Sequence, residues 1–441
     1  MKRLFVILSL LGILALLIAC QIPILTATST PVPPTTVSAT ATSMPIDIYA
    51  TETAQASLPM PTSAATQSAT AASTTPIAHL PAGTELTITD IHMVTTSNGW
   101  GTGTAPSDQT VHILRTADGG NTWTDVTPPE GAVTGFAQVP ATFFMDDSQA
   151  WVAYSQALDS NGNLEAPAYV WYTQDSGATW TASQALPANG GSDFFSPGEF
   201  AFSDAQHGWL MVHVGVGMMH DYVYVFATTD GGATWTKVVD PTNSTLWMSC
   251  DKTGLAFTDA NNGWATGDCH GVAPGVFLYH TTDGGNTWAQ ATISAPAGKP
   301  NMFNDQNSGC GTYDMSFLDA NNGEMLMTCV TSSNSTMTNL SWIYTTANGG
   351  QSWTSHALPA DSGQYQFLDT VHGYYVAGHI YRTIDGGASW SAVIPVSWNG
   401  QPDFVDLKDG WIVAKNGTDI ALVKTTNAGV NWAIIKAVVA Q

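Results

Sequence analysis

The chain has few basic residues: 11 Lys and Arg stand against 34 Asp and Glu among 441 residues, a formal net charge of −23 at pH 7. This deficit excludes the basic surface that nucleic-acid-binding proteins carry, and it opposes docking on an anionic membrane. Long apolar runs with a 3.6-residue period are also lacking after the first twenty residues. We therefore expect no nucleic-acid partner and an all-β fold.

One motif recurs through the chain, and Thr228–Trp235 (TTDGGATW) is its clearest copy. Alternating apolar residues flank an Asp-Gly-Gly turn, a pattern typical of a β-hairpin because glycine adopts positive φ without steric cost. A shorter pattern lies upstream, as in Phe257–Trp264 (FTDANNGW), and predicts a second hairpin in each unit. Seven copies end at a tryptophan: Trp123, Trp180, Trp235, Trp288, Trp353, Trp390 and Trp432.

Two hairpins per unit form a four-stranded antiparallel sheet. Units repeated at a spacing of roughly 40 to 60 residues must bury their apolar faces against their neighbours. We therefore predict a seven-bladed β-propeller of four-stranded antiparallel blades over residues 85–441.

The motif Thr-x-Asp-Gly-Gly-x-(Thr/Ser)-Trp, with Asp118, Asp230, Asp283 and Asp385, resembles the Asp-box (BNR) repeat of sialidases, sortilin-type receptors and some glycoside hydrolases. Together with the upstream Asp-x-x-x-Gly-Trp half, it is most similar to the propeller repeats of the photosystem II stability/assembly factor family. The resemblance implies a propeller that holds a membrane-protein segment in a chaperone-like manner. A propeller fold alone supports many unrelated activities.

We expect the box residues to be structural: each aspartate caps its own turn and each tryptophan packs between neighbouring blades. Asn348 and Asn427 replace the aspartate in two boxes, and the box at Asp175 lacks one glycine. The predicted structural set is Asp118, Trp123, Asp175, Trp180, Asp230, Trp235, Asp283, Trp288, Trp353, Asp385, Trp390 and Trp432.

The N-terminus predicts export. Lys2-Arg3 and the apolar run that follows are typical of a signal peptide, residues 1–19. The run ends Leu-Ile-Ala-Cys20, which resembles the lipobox of bacterial lipoproteins and implies a lipidated Cys20; ordinary secretory cleavage is the alternative. We expect a protein anchored by lipid alone to the outer face of the bacterial cytoplasmic membrane or cell envelope.

Residues 20–84 are rich in Thr, Ser, Pro and Ala and have few aromatic or charged residues. Such a composition cannot bury enough apolar surface to offset chain entropy, so we predict a disordered linker. The predicted order is therefore signal peptide, lipidated linker and propeller. We expect a monomer without a cofactor or a metal ion.

The loops of the predicted propeller differ between its two faces. If the strands of a blade are named A to D, both short turns, A–B and C–D, lie on one face, and the B–C and D–A connections lie on the other. All of the length variation falls on the second face, which we name the variable face. Insertions in repeat proteins commonly gather on the binding face, so we place the site there, over blades 2 to 5.

Four cysteines besides Cys20 support this alignment. Cys250 and Cys269, and likewise Cys310 and Cys329, are nineteen positions apart, and each pair joins the start of strand A to the end of strand B. Outside the cytoplasm such matched pairs favour the disulfides Cys250–Cys269 and Cys310–Cys329. Four free buried thiols are the alternative.

Enzyme classes can be weighed on the residues present. Sialidases depend on three arginines that grip the substrate carboxylate, whereas only Arg115 and Arg382 follow the signal segment, so the arginine triad is absent. A glycoside hydrolase with two facing carboxyl groups remains possible in principle. Its candidate acids lie in or beside the variable-face loops: Asp193, Glu199, Asp251, Asp268 and Asp314.

Two segments contain metal-binding residue types. His213 with Met218–Asp221 offers copper ligands, although methionines in a propeller loop also simply pack. Asp159–Glu165 has the alternating oxygen ligands of a calcium loop but lacks its glycine and its final bidentate acid, so a solvated turn is the favoured interpretation.

Aromatic side chains and histidines near the loops form a candidate binding face, because rigid aromatic anchors carry recognition energy; packing under the loops is the alternative. The function predicted first is a surface-tethered, non-enzymatic propeller that binds an extracytoplasmic protein or glycan through blades 2 to 5, with an assembly-factor-like role. The alternative is a glycoside hydrolase with a carboxylate pair on the same face. The candidate binding residues are Phe194, Phe195, His220, Tyr222, Trp247, His270, Trp342 and Trp398.

Overall fold

The computed structural model describes residues 76–130, 139–191, 193–269, 276–305, 307–333 and 336–440. The predicted signal peptide, Cys20 and most of the predicted linker lie outside the described residues. In the described part of the chain, no helix is long and apolar enough to cross a membrane. Met302–Asn304 forms a single turn of 3-10 helix, and the regular structure is otherwise β-strand.

The strands pair in chain order within each blade and are antiparallel throughout. Blade 1 contains β1 (Thr87–Met93), β2 (Gly99–Ala105), β3 (Asp108–Thr116) and β4 (Thr122–Asp125). Blade 2 contains β5 (Ala141–Phe144), β6 (Ala150–Ala153), β7 (Val170–Thr173) and β8 (Thr181–Ala182). Blade 3 contains β9 (Ser196–Phe202), β10 (Gly208–Gly217), β11 (His220–Thr228) and β12 (Thr236–Val239).

Four further blades complete the set. Blade 4 contains β13 (Asp251–Phe257), β14 (Gly263–Asp268), β15 (Phe277–Thr281) and β16 (Ala289–Gln290). Blade 5 contains β17 (Ser308–Phe317), β18 (Gly323–Ser333), β19 (Thr336–Thr346) and β20 (Thr354–Ala357). Blade 6 contains β21 (Gln364–Phe367), β22 (Gly373–Val376), β23 (His379–Thr383) and β24 (Ser391–Pro395). Blade 7 contains β25 (Pro402–Phe404), β26 (Gly410–Asn416), β27 (Asp419–Thr425) and β28 (Ala433–Ile435).

The described residues form seven hydrophobic clusters, and each cluster is shared by two successive blades. The cluster that contains Ile88, Leu114 and Trp411 joins blade 7 to blade 1, so the ring is closed. After blade 7 the chain returns to blade 1, where β29 (Val438–Val439) pairs in parallel with β4. The predicted seven-bladed, all-β propeller is thereby confirmed.

The tryptophans of the two repeat patterns hold the blades to one another. Each box tryptophan packs in the cluster between its own blade and the preceding one. The tryptophan that follows the A–B turn contacts the next blade instead. In three blades its indole N–H donates to the carbonyl of a glycine in the Asp box of the next blade, at 2.8 to 2.9 Å. These donors are Trp151, Trp209 and Trp411.

The propeller begins earlier than residue 85, where the sequence places its boundary. Ile77 is buried in the cluster between blades 1 and 2. The Leu80 N–H donates to the Asp125 carboxylate at 2.8 Å, and an imidazole nitrogen of His79 lies 2.9 Å from the Thr127 carbonyl. The composition of this segment resembles that of the linker, so the boundary cannot be located from composition alone.

Candidate active site

The variable face is positioned by the antiparallel order of the strands, which brings the B–C and D–A connections of all blades to the same side. Long hairpins on this face belong to blade 3 (β10–β11) and blade 5 (β18–β19), and blade 4 stands between them. The carboxylates considered for a glycosidase are found on and around these three blades.

Two of those carboxylates are direct neighbours. Asp251 begins β13 and Asp268 ends β14, and the two residues are partners in the antiparallel register. Directly opposed side chains point to the same side of a sheet, with Cβ atoms about 4.5–5.5 Å apart. The adjacent Cys250 and Cys269 face blade 3 and form a disulfide that ties the two strand ends together. Asp251 and Asp268 therefore share the side of blade 4 that faces blade 5.

Blade 5 supplies a tyrosine to this pair. The Tyr313 hydroxyl donates a hydrogen bond to Asp268 Oδ2, close to the point where β17 pairs with the end of β14. Gly311 permits this approach, because a Cβ at that position would lie 2.5 Å from the Tyr313 Oη atom and 2.8 Å from the Asp268 Cγ atom. Burial raises the pKa of Tyr313 above its usual value, and nearby carboxylates add to the effect: Asp268, Asp251 and Asp314.

Asp314 has an unusual backbone. It lies in a β-bulge between Tyr313 and Ser316, and its φ of 47° is in the left-handed region. Non-glycine residues at such angles cost of order 1–3 kcal/mol and cluster at functional sites. The Tyr365 hydroxyl of blade 6 donates to the Asp314 carbonyl and helps to hold this conformation. Asp314 is an exposed residue, yet the surrounding protein desolvates its carboxyl group and raises its pKa.

We name these four residues the acidic cluster: Asp251, Asp268, Tyr313 and Asp314. It combines a carboxyl group whose pKa is raised by desolvation with a second carboxyl group that accepts a hydrogen bond from a phenolic hydroxyl. A carboxyl group with a raised pKa in the neighbourhood of other carboxyl groups is typical of sites of acid–base catalysis. The cluster can therefore supply a proton donor and a base within one site.

Blade 3 contains a second charged group that is already internally paired. Nδ1 of His213 lies 2.9 Å from the Asp221 carboxylate, and its Nε2 lies 3.5 Å from Glu199 Oε2. Burial lowers the pKa of His213, but the hydrogen bonds to these two carboxylates outweigh burial and raise that pKa to about 10. Lys252 Nζ, buried beside them, donates to the Asp221 carbonyl at 2.9 Å. Glu199 and Asp221 are thus paired with His213 inside blade 3, and hydrogen bonds from Lys252 join Asp221 to blade 4.

Asp193 also has a local role. Its carboxylate accepts from the Val216 N–H at 3.2 Å, and its own N–H donates to the Val214 carbonyl at 3.1 Å. These bonds fasten the loop before β9 to the long hairpin of blade 3. Of the five candidate carboxylates, three therefore belong to the acidic cluster and two stabilise blade 3.

Some residues of the candidate binding face are buried in the core, and others lie at the surface. Phe195 and Trp342 are buried in the clusters between blades, so for these two residues the expectation of an exposed binding role is wrong and the packing alternative holds. Trp398 packs edge-on against Trp432 at a ring-centroid distance of 5.7 Å. Phe194 is partly buried, whereas His270 lies outside the described residues.

Three of the predicted binding residues are close together on the variable face. His220 stacks on Tyr222 with ring centroids 5.8 Å apart, and Trp247 is 44% exposed. His220 and Trp247 line a cavity of about 520 Å³ together with Ser244–Ser249, Tyr279 and Gln290. We name it the Trp247 cavity.

The Asp boxes are placed as structural turns. In the box at Asp283, the carboxylate accepts from the Thr287 N–H at 2.8 Å and from the Thr281 hydroxyl at 2.8 Å. Asn348 and Asn427 make the corresponding bonds through their side-chain carbonyl oxygen, at 2.9 and 3.0 Å. An acceptor oxygen is all that the turn requires, which explains why asparagine can replace aspartate.

The segments considered for metal ions are engaged locally. The Asp159 carboxylate accepts from the N–H groups of Asn161 and Asn163 at 2.8 and 2.9 Å, as in a self-capped turn. His213 is paired with carboxylates, as described above. Within the described ranges, no group of three or more His, Cys, Asp or Glu side chains is arranged to hold a metal ion.

Comparison with known proteins gives one sequence relative. No family model matches the chain. A xyloglucanase from Paenibacillus sp is 29% identical over 133 residues, which make up 30% of this chain and 12% of that enzyme. The chain therefore matches only a small part of the length of this relative.

Several solved structures follow a similar chain path. A GH74 enzyme from Niastella koreensis has a TM-score of 0.35 at 14% identity, over 78% of this chain and 62% of that chain. YCF48 from Cyanidioschyzon merolae has a TM-score of 0.38 at 17% identity, over 79% of this chain and 98% of that chain. At these scores the similarities carry no conclusion about activity.

The sequence comparison corrects the function predicted first. A non-enzymatic binding propeller with an assembly-factor-like role was expected, but the curated relative is a glycan-degrading enzyme by name. That expectation is wrong, and the comparison favours its alternative. The residues that matter for the alternative are those of the acidic cluster, of which sequence reasoning had found the three aspartates but not Tyr313.

Proposed function

We propose that this protein is a glycoside hydrolase whose acid–base chemistry is carried out by the acidic cluster. The observation that carries the proposal is the cross-strand pair Asp251 and Asp268, in which Asp268 accepts a hydrogen bond from the Tyr313 hydroxyl. Asp314 follows Tyr313 in the chain, and desolvation by the surrounding protein raises its pKa. Hydrolysis of a glycosidic bond requires a protonated acid beside the leaving oxygen and a carboxylate that attacks or activates water. The cluster offers both.

Roles can be assigned from the surroundings of each group. Asp314 acts as the general acid, because desolvation favours its neutral form. Asp268 acts as nucleophile or base, because the hydrogen bond from the Tyr313 hydroxyl holds its carboxylate in place beside Asp251. Asp251, the cross-strand partner of Asp268, adds negative charge that stabilises an oxocarbenium-like transition state.

The first test measures the release of reducing sugar by the purified full chain from xyloglucan and from a panel of other polysaccharides. Asp268→Asn and Asp314→Asn should each lower kcat by about 10²–10⁴-fold, the usual contribution of one acid–base group. Asp419→Asn, an exposed residue on the variable face of blade 7, is the matched control and should leave the rate unchanged. Equal rates for all variants would refute the site, and a wild-type chain that cleaves no glycan would refute the function.

A change of leaving group separates the two roles. On aryl glycosides whose phenolate leaves without protonation, Asp314→Asn should keep most of its activity while Asp268→Asn remains inactive. The wild-type rate on poor leaving groups should fall as pH rises through the pKa of Asp314, since only its protonated form donates. Loss of activity in Asp314→Asn regardless of leaving group would contradict the general-acid role.

We also propose that the enzyme acts outside the cytoplasm while tethered by a lipidated Cys20. The lipobox-like sequence before Cys20 and the two disulfides support an oxidising compartment. Mass spectrometry of the membrane fraction should find a diacylglyceryl group on an N-terminal Cys20, and an unmodified chain would contradict the anchor.

A further inference from the structure

The Trp247 cavity has the dimensions of a ligand site. Its volume of about 520 Å³ falls within the range of roughly 300–1,000 Å³ for small-molecule pockets. One wall is the segment Ser244–Ser249 before β13, and the opposite walls are His220 on blade 3 and Tyr279 and Gln290 on blade 4. The cavity thus opens between blades 3 and 4 on the variable face.

The aromatic ring of Trp247 is presented to solvent. Its exposed fraction is 44%, whereas the other tryptophans in the described ranges are buried or partly buried in the packing between blades. An exposed large apolar side chain at the edge of a cavity is a feature of recognition sites rather than of folding cores. A flat indole face suits a ligand with a flat apolar face of its own, and the C–H face of a pyranose ring is one.

The other lining groups are the apolar side chains of Leu246 and Met248, the Tyr279 ring and a set of polar groups. Hydroxyl groups come from Ser244, Thr245 and Ser249, an amide from Gln290 and an imidazole from His220. No Asp, Glu, Lys or Arg is among the described residues that line the cavity. In a chain with 34 acidic residues, this lining favours a neutral ligand rich in hydroxyl groups.

The polar groups are held in place by hydrogen bonds to neighbouring residues. The Thr245 hydroxyl accepts from the Trp288 N–H at 2.6 Å, and the Ser244 hydroxyl accepts from the Leu246 N–H at 3.0 Å. His220 Nε2 lies 3.2 Å from the Ser249 hydroxyl. Because these positions are fixed before a ligand arrives, little ordering entropy is lost on binding.

The cavity and the acidic cluster are joined through three consecutive residues. Ser249 lines the cavity, Cys250 forms the disulfide with Cys269, and Asp251 belongs to the acidic cluster. The Cα atoms of Ser249 and Asp251 can be no more than about 7.6 Å apart, since consecutive Cα atoms are separated by 3.8 Å. Cys250 has a φ of 72°, so its backbone turns sharply between the two sites. One oligosaccharide that crosses this disulfide can reach both.

We propose that the Trp247 cavity is a subsite for a neutral oligosaccharide segment, in which the Trp247 ring stacks on a sugar and the hydroxyl groups bind its polar edge. This inference rests on the proposed function and extends it. The cavity binds sugar units of the polysaccharide that lie some distance from the bond that the acidic cluster cleaves. The substrate class is therefore an uncharged polysaccharide, bound over several sugar units.

The test compares Trp247→Ala with the wild-type full chain. For a neutral polysaccharide substrate, KM should rise about 10-fold or more, while kcat on a short aryl glycoside that does not reach the cavity stays unchanged. Binding of cello-oligosaccharides to the inactive Asp268→Asn variant should weaken about 10-fold when Trp247→Ala is added, and Trp247→Phe should restore part of it. Met218→Ala is the matched control, because this residue is 96% exposed at the hairpin tip of blade 3 and does not line the cavity.

The two proposals can fail separately. If the wild type cleaves a neutral polysaccharide and Trp247→Ala has the same KM, the subsite is refuted while the hydrolase stands. If the wild type cleaves no glycan, the binding of cello-oligosaccharides alone tests the subsite. Binding to the wild type that Trp247→Ala abolishes supports the subsite. If the wild type does not bind these sugars, or if Trp247→Ala binds them equally well, the subsite is refuted. Tighter binding of anionic oligogalacturonides than of cello-oligosaccharides would overturn the assignment of a neutral ligand.

Discussion

Glu324 provides a quantitative test of how the blades pack. It is the second residue of β18, at the position after the A–B turn where five of the seven blades carry a tryptophan, and it is 3% exposed. The Ser316 hydroxyl donates to its Oε1 at 2.7 Å across the strand pair. Burial raises the pKa of Glu324 from 4.5 to about 7, although the bond from Ser316 partly opposes this.

The sign of the stability effect follows from proton binding. Between pH 4.5 and 7 the folded state keeps a proton on Glu324 that the unfolded state releases, so stability is lost as pH rises through this window. A pKa raised by about 2.5 corresponds to about 3 kcal/mol, at 1.36 kcal/mol for each unit. Glu324→Gln should therefore stabilise the fold by about 3 kcal/mol more at pH 8 than at pH 4.

The measurement is urea unfolding of the wild type and Glu324→Gln at both pH values. Glutamine keeps an oxygen for the Ser316 hydroxyl, so at pH 4 the two proteins should differ by about 1 kcal/mol or less. Glu165→Gln, the same substitution at an exposed position, is the matched control. The same free-energy difference for Glu324→Gln at pH 4 and pH 8 would refute the reasoning.

Two further predictions concern the Asp boxes. Ala428 has a φ of 60° at a position where five boxes have glycine. Ala428→Gly should therefore raise the free energy of unfolding by about 1 kcal/mol. A variant that is less stable than the wild type in urea unfolding would contradict this. Asp283→Asn should cost less than about 1 kcal/mol, because Asn348 makes the same bonds, whereas Asp283→Ala should cost about 1–2 kcal/mol; equal losses in thermal unfolding would show that charge, rather than the acceptor oxygen, matters.

The blade count and the position of the variable face followed from the repeats alone. A recurring turn with a fixed strand pattern leaves little freedom, since every copy must bury the same face against a neighbour. The spacing of Cys250, Cys269, Cys310 and Cys329 gave the disulfide partners for the same reason: matched positions in successive blades have matched surroundings. Periodic features are therefore predictable from this sequence.

Features that break the period could not be predicted in the same way. The bulge that turns Asp314 and the approach of Tyr313 to Asp268 depend on the register between β17 and its neighbours. Phe195 and Trp342 looked like loop aromatics, but the hairpins of blades 3 and 5 extend further than the repeat and bury them. The number of residues between two repeat patterns does not show whether those residues extend the strands or form an exposed connection.

Blade 5 contains several departures from the repeat, and two residues of the proposed reaction, Tyr313 and Asp314, belong to it. Glu324 takes the place of a tryptophan, and Asp314 occupies a strained bulge. Tyr365 of blade 6 lies beside both acids and bonds to the Asp314 carbonyl. Each departure weakens the packing that the other blades share, and natural sequences retain such local conflicts mainly at functional sites. The Cys310–Cys329 disulfide ties the two inner strands of this blade, so a rigid frame holds the strained acid that the proposed reaction requires.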